Sequence, residues 1–324
     1  MNCLGIESTA HTLGIGISTP EEIIANEKDA YKPEEGKGII PREAAEHHNK
    51  VKEKVLERAL KKAGINKNEI DLIAIANGPG LPPCLLEGLN LAKKLSKELN
   101  VKIVPVNHCI GHIEIGKKET GAKNPLVQYV SGGNTQILSY SEGRYRIYGE
   151  THDIGIGNAF DKFARSLNLK MPGGPKIMKL AERGEEYVKL PYTVKGMDLS
   201  FSGLVTEASK KKEEVNKEDL AYSFQETILS MLVEVTERAL AHTEKKELLL
   251  TGGVALNTRL REMNEKMTRE HDASFHVPKN EYCGDNGAMI AYTGIKFKEK
   301  AKKEVDINPR WRTNQYVIKG KKQK

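Results

Sequence analysis

Two histidines four residues apart, in Asn107-His108-Cys109-Ile110-Gly111-His112, follow directly on an apolar run that reads as a strand. At the start of a helix this spacing puts both imidazoles on one face, within about 6 Å, close enough to hold one ion while Cys109 points elsewhere. The nearest candidate for a third ligand is Asp285 in Tyr282-Cys283-Gly284-Asp285-Asn286-Gly287-Ala288, where the last long helix is expected to begin. A His, His, Asp set suits iron or zinc and leaves positions open for a substrate. Two blander descriptions fit the same residues: histidines on a polar helix face, and an aspartate that is only an N-cap. The glutamate of a His-Glu-x-x-His peptidase is missing, which removes the adjacent general base and weakens a hydrolytic reading.

Anion chemistry is suggested at two turns. Ile6-Glu7-Ser8-Thr9-Ala10-His11-Thr12 and Val130-Ser131-Gly132-Gly133-Asn134-Thr135 are both tight polar turns between apolar strands, where backbone N–H groups could approach a phosphate. Each could equally be an ordinary hairpin. A third element, strand Leu248-Leu249-Leu250 followed by Thr251-Gly252-Gly253-Val254-Ala255-Leu256-Asn257, offers close backbone approach, a helix N-terminus and an amide at Asn257 able to read a base or ribose edge. The same glycine pair could simply let helix and strand pack. There is no Gly-x-x-x-x-Gly-Lys-Ser/Thr loop, and Gly155-Ile156-Gly157-Asn158-Ala159-Phe160 lacks the third glycine of a dinucleotide fingerprint.

The elements that must carry these residues repeat. Strands are expected at 2–7, 11–18 and 22–27, then helix 41–63 stopped by Gly64, strand 70–76, helix 84–99, strand 101–106 and helix 107–118. The order restarts with strands 126–130, 135–140 and 144–150 and helical segments from 157, then helix 218–243, strand 247–251, helix 254–270, strand 274–277 and a closing helix from 285. Residues 170–215, with Pro172-Gly173-Gly174-Pro175 and Lys210 to Lys212, read as an insertion. The fold class is therefore α/β, with two duplicated lobes of the actin, sugar kinase and chaperone ATPase kind (ribonuclease H-like) and a nucleotide and metal site expected in the cleft between them. The lobes are placed at 1–122 and 123–298, with a basic segment 299–324 that packs back on the first lobe or leads to a linker. His47 and His48 are assigned to a solvated helix face, outside the site.

Hydrophobic residues at 38% and charged residues at 29% describe a soluble globular chain with no membrane span, and its start lacks a secretory leader, so a cytoplasmic location is expected. The four cysteines, Cys3, Cys84, Cys109 and Cys283, form no Cys-x-x-Cys pair and read as buried thiols. The net charge of +7, with lysines crowded at 296–303 and at Lys319, Lys321, Lys322 and Lys324, suits a polyanion, or only a lysine-rich solvated surface.

Taken together, Gly5 to Thr12, His108-x-x-x-His112, Ser131 to Thr135, Gly155 to Lys162, Pro172 to Pro175, Lys195-Gly196-Met197-Asp198-Leu199-Ser200-Phe201-Ser202-Gly203 and Thr251 to Ala255 resemble the tRNA N6-adenosine threonylcarbamoyltransferase family, over residues 1 to about 315. The likeness is to its archaeal and eukaryotic branch, the catalytic subunit of the KEOPS complex. It implies transfer of the threonylcarbamoyl group of threonylcarbamoyl-AMP to N6 of adenosine 37 in tRNAs that read codons beginning with A. It also implies one divalent metal ion, iron ahead of zinc, on His108, His112, Tyr129 and Asp285. ATP or the adenylate would lie on Tyr129, Val130, Ser131, Gly132 and Gly133, with Asp161 on the ribose, Gly174 near the base and Asn257 completing the pocket. A ribose-binding glutamate common in the family is here Met178, which cannot accept a hydroxyl hydrogen bond in the same way. Implied partners are tRNA, a small kinase-like protein sometimes fused to the C-terminus, and accessory subunits. No general base is assigned. The alternatives are an actin-like ATPase or nucleotide-gated scaffold, and a metal-dependent peptidase, an older name attached to the family.

Overall fold

A computed structural model of the chain describes residues 1–34 and 38–316, so Lys319, Lys321, Lys322 and Lys324 lie outside the described residues. The chain opens with strands β1 (Asn2–Glu7), β2 (Thr12–Ser18) and β3 (Ile23–Ala30). Helix α1 (Pro41–Ala63) starts on a proline at its first turn and ends where Gly64, at φ 68°, turns its N–H back on the last carbonyls. Then come β4 (Ile70–Gly78), α2 (Pro82–Leu99), β5 (Ile103–Asn107) and α3 (His108–Thr120). The sheet order is β3-β2-β1-β4-β5, antiparallel through the opening meander and parallel where helices cross over.

A second sheet repeats the first. Strands β6 (Leu126–Val130), β7 (Thr135–Ser141) and β8 (Arg144–Glu150) form its meander. Next come α4 (Ile156–Ser166), α5 (Gly173–Ala181), the two-residue strands β9 (Val194–Lys195) and β10 (Asp198–Leu199), α6 (Ser202–Lys210) and α7 (Lys217–Thr243). Strand β11 (Glu247–Thr251), α8 (Thr258–Glu270), β12 (Ser274–His276) and the short α9 (Asn280–Cys283) complete it. Its order, read from the other edge, is β8-β7-β6-β11-β12, with the same antiparallel and parallel pairings as the first sheet. The α/β class and the duplicated strand order expected from the sequence are both present.

The described residues fall into two units, one holding Thr120–Cys283 and the other holding Met1–Pro33, Ile39–Glu119 and residues 284–316. This moves the expected boundary at 298: helix α10 (Gly287–Lys296) belongs to the first unit, where it packs on β1, β2 and β4. The cause is a seam without side chains. A Cβ on Gly5 would sit 2.2 Å from Ala291 N, one on Gly16 2.2 Å from Ala288 N, and one on Gly287 2.1 Å from Gly16 N, so helix and sheet meet backbone to backbone. The segment after α10 stays on this unit, with Lys302 bridging Ile103 and the Asn308 N–H donating 2.6 Å to Asn77 O. The lysines there are partly committed: Lys296 pairs with buried Glu114, and Lys300 lies 3.5 Å from the centre of the Tyr316 ring. His48 is fully buried with Nε2 3.0 Å from Ala10 O, and His47 pairs with Asp29 at 3.1 Å, which corrects the solvated-face reading of both.

In the second unit, residues 170–215 are part of the core, since Ile177, Leu190, Phe201 and Leu204 share one apolar cluster with Phe160, Phe163 and Phe224. Asp153 ties this segment down: its carboxylate accepts from the N–H groups of Ile154, Phe201 and Ser202 at 2.6, 3.0 and 2.8 Å, capping α6. Partial burial works against the charged form, but those N–H groups outweigh it and hold the carboxyl at about 2. A depressed folded-state value contributes stability above the unfolded value near 3.9, lost as the pH falls through the folded value. Asp153→Ala is therefore expected to cost about 1–2 kcal/mol at pH 7, with the gap to wild type closing as the pH falls from about 4 toward 2. Urea titrations at a series of pH values check this, and a gap that stays constant with pH would refute it. All four cysteines are buried thiols. Among the described residues, no helix is long and apolar enough to cross a membrane.

Candidate metal centre and nucleotide site

Strand β5 delivers its last residue, Asn107, as the cap of α3: Asn107 Oδ1 accepts from the N–H of Cys109 at 3.0 Å and of Ile110 at 3.2 Å. The cap fixes where the helix begins and so where His108 and His112 project. Their rings lie 4.8 Å apart, edge to face, on one side of α3. Asp285 reaches them from the turn before α10. Its Oδ1 stands 3.3 Å from His112 Nε2 and 3.6 Å from His108 Nε2. The ambiguity over Asp285 resolves, because the cap of α10 is Asn286, whose Oδ1 accepts from Met289 N at 2.9 Å. Asp285 is left facing the imidazoles.

The donor set fits a divalent cation. One atom each from His108, His112 and Asp285 lies within 4.8 Å of the others, two nitrogens and one oxygen in a nearly closed environment. Behind His108, Nδ1 meets Glu7 Oε2 at 2.8 Å, and the other Glu7 oxygen accepts from the Thr9 N–H at 2.7 Å and from its hydroxyl. Burial disfavours the protonated form of both imidazoles. At His108 the charge and hydrogen bond of Glu7, with Asp285, overcome it and raise the group to about 9. At His112 burial prevails and the value falls below that of an ordinary histidine. Burial likewise pushes Asp285 up, but the His112 hydrogen bond and both imidazole charges hold it well below the usual carboxylate range. The negative potential that stabilises a proton on His108 is the potential that attracts a cation. Glu7 was not singled out by spacing, yet its sequence carried a signal: a charged residue ending the otherwise apolar strand Cys3-Leu4-Gly5-Ile6.

The residues expected to hold a nucleotide lie in the second unit and meet through a chain of contacts. Tyr129 is buried at the end of β6, paired with Gln136 and Thr251, and Val130 closes that strand opposite Thr135. The hairpin beyond them is braced by Ser131, whose N–H donates 2.8 Å to Asn134 O, leaving Gly132 and Gly133 exposed. The start of α4 seats against it, with the Asn158 N–H donating 3.0 Å to Gly132 O, and a Cβ on Gly157 would fall 2.8 Å from Gly132 Cα. Asp161, a turn later, accepts from the Gly173 N–H at 2.8 Å and so ties α4 to the start of α5. Gly174 has open space where a side chain would be, and Met178, one turn on, accepts from the Thr258 hydroxyl at 3.6 Å. Gly252, at φ 97°, lets the strand end pass Val130, where a Cβ would lie 2.2 Å from its carbonyl oxygen.

Asn257 stands at a helix start. Gly253–Leu256 form a 3₁₀ turn, so the helix expected from 254 begins at Thr258. Asn257 caps it, with Oδ1 accepting from Leu260 N at 2.9 Å and Nδ2 donating 3.0 Å to Gln225 Oε1. The two polar hairpins also differ. In the first, Ser8 and Thr9 are buried and the Thr9 N–H is taken by Glu7, so the phosphate-loop reading of residues 6–12 does not hold for that amide. In the second, no hydrogen bond within the described chain occupies the N–H of Gly132 or Gly133.

The family model for tRNA N6-adenosine threonylcarbamoyltransferase matches residues 20–292. The chain is 53% identical, over 98% of its own length and 99% of the relative's, to the tRNA N6-adenosine threonylcarbamoyltransferase of Thermococcus sibiricus. It is 51% identical to a probable bifunctional tRNA threonylcarbamoyladenosine biosynthesis protein of Methanosarcina mazei, covering 97% of this chain and 59% of that longer one. Among solved structures, HypF from T. kodakarensis covers 92% of this chain, and 48% of its own, at a TM-score of 0.65 and 16% identity. Component A of the (R)-2-hydroxyglutaryl-CoA dehydratase of Acidaminococcus fermentans covers 92% of this chain, and 99% of its own, at 0.57 and 14%. These two likenesses bear on the fold alone, which the chain shares with them. By the family match and by identity along nearly its whole length, the chain belongs to the tRNA N6-adenosine threonylcarbamoyltransferase family.

Proposed function

We propose that the chain is the catalytic subunit of a KEOPS-type complex and moves the threonylcarbamoyl group of threonylcarbamoyl-AMP to N6 of adenosine 37 in tRNAs that read codons beginning with A. The observation that carries this reading is the buried convergence of His108, His112 and Asp285 in a chain of this family. An N6 amine is a poor nucleophile, so most of the acceleration comes from holding it against the carbamoyl carbon. The N–C bond forms as the C–O bond to phosphate breaks; AMP leaves with the electron pair and N6 gives up one proton. A divalent ion on His108, His112 and Asp285, with iron placed ahead of zinc and Tyr129 as a further donor, supplies Lewis-acid polarisation when bound.

The protein's own part is to bind and orient. The free N–H groups of Gly132 and Gly133 donate to the anionic end of the nucleotide, Asp161 meets the ribose, the open position at Gly174 admits the base, and Asn257 serves by holding the start of α8. Met178 packs where the family commonly has a carboxylate. Met178→Glu is expected to tighten binding of an adenine nucleotide about fivefold to tenfold, the worth of roughly one net hydrogen bond; calorimetry reads it, and unchanged affinity would remove the ribose from this place. The loop base is splayed out to be reached, lysines hold tRNA phosphates, and a small kinase-like protein and accessory subunits are the partners in this reading, to which the greater length of the bifunctional relatives lends support. The cytoplasm is its place of work.

The test is transfer of labelled threonylcarbamoyl from the adenylate to unmodified tRNA with partner subunits supplied. Label in tRNA with matching AMP is the expected result. Transfer of a terminal phosphate without label would turn the reading to a kinase or gated scaffold, and protein cleavage without tRNA to a peptidase.

A further inference from the structure

The hairpins closing β1–β2 and β6–β7 look alike in sequence and are put to different uses. The second keeps two exposed amides. In the first, Glu7 is 0% exposed and Thr9 is 3% exposed, and the Thr9 N–H that could have met an anion is spent on the Glu7 carboxylate. A buried carboxylate needs both partners and a charge to answer it. Glu7 has three such partners: Thr9 N at 2.7 Å, the Thr9 hydroxyl, and His108 Nδ1 at 2.8 Å. The Thr9 hydroxyl in turn stands 3.2 Å from the same Nδ1.

We infer that Glu7 is a positioning residue of the metal centre, its carboxylate holding the Nδ1 proton of His108 so that Nε2 is presented beside His112 and Asp285. The geometry separates this from two alternatives. Glu7 sits on the Nδ1 side of the ring while Asp285 sits on the Nε2 side, 3.6 Å from that atom, so the two carboxylates flank His108 and Glu7 is not a fourth donor beside Asp285. Nor is the first hairpin an anion cradle, since its carboxylate would repel a phosphate. Charge supports the assignment: two carboxylates, two neutral imidazoles and one divalent ion sum to zero in a buried place. Carboxylate behind histidine also makes the ring a stronger ligand and locks its plane.

The measurement is metal affinity, read with Zn²⁺ alone as the probe by competition against a chromogenic chelator. It is independent of transfer activity and so stands apart from the proposed function. Glu7→Gln keeps the shape and one acceptor and is expected to weaken binding about tenfold; Glu7→Ala should weaken it further, up to about a hundredfold. In the Zn²⁺-loaded protein, ring ¹⁵N spectra should show His108 bound through Nε2 with its Nδ1 proton in a strong hydrogen bond, and that hydrogen-bond signature should be lost in Glu7→Ala, which a merely structural role would not produce. Wild-type affinity in both folded variants would overturn the inference. Failure of the isosteric Glu7→Gln to fold would also overturn it, by assigning the carboxylate to holding the hairpin.

Discussion

Asp285→Ala and His108→Ala are expected to lose threonylcarbamoyl transfer by two orders of magnitude or more while keeping the wild-type fold. A well-built divalent site is worth about 10–16 kcal/mol, so one of the three donors His108, His112 and Asp285 carries roughly 3–5 kcal/mol, or more than a hundredfold in affinity. Losing Asp285 has a second effect, because its Oδ1 faces both imidazoles and its removal leaves them a buried, like-charged pair when protonated. Metal content after dialysis and transfer rate should therefore fall together, and Asp285→Asn, which keeps the volume but not the charge, should fall between. Tyr129→Phe, read in the same two ways, tests the proposed role of Tyr129 as a further donor. Folded variants at His108 and Asp285 that transfer at the wild-type rate would exclude the metal-centred reading.

Gly16→Val should be the most damaging change away from the site. Its Cβ alone would come within 2.2 Å of Ala288 N, and the obstacle is backbone, which cannot turn aside as a side chain can. Overpacking of this kind costs about 3 kcal/mol or more, a fall in Tm of roughly 4–5 °C or more for a chain of this size. The damage should not stay thermal. Helix α10 begins just after Asp285, so lifting it from β2 withdraws a donor, and metal affinity should drop even well below Tm. Gly203→Ala is the control: nothing lies within 4 Å of its Cβ position and its backbone is helical, so stability should hold or rise. Equal melting of Gly16→Val and wild type would show that the seam is not what holds α10.

Much of this was legible in the sequence because it is local. Pro41 and Gly64 bracket α1 by their own backbone preferences, and the i, i+4 spacing of His108 and His112 needs only a helix to bring them together. Asp285 could be proposed but not decided, since Asp285 and Asn286 are both good caps and only the fold shows which one is used. Three features depended on partners remote in sequence. Glu7 looked like one polar residue in a turn until His108, 101 positions on, took up its carboxylate. His48 lies on a mostly charged helix, and its burial comes from the carbonyl of Ala10 across the hairpin. The glycines of β1 and β2 read as weak strand positions, and their purpose appears only with α10 laid over them.

That overlay has a consequence for how the protein is made. The first 119 residues leave the ribosome before the helix that covers their sheet exists, and the whole stretch Thr120–Cys283 must be synthesised in between. At about 5–20 residues per second, that is roughly 8–30 s during which the face of β1, β2 and β4 that receives α10 stands bare. The unit of Thr120–Cys283 can fold as soon as it has emerged; the one that holds β1 must wait for α10. The strands translated before this stretch are thus sealed only after it, and the metal centre, which needs His108 from before the stretch and Asp285 from after it, is assembled only once the intervening unit has been made.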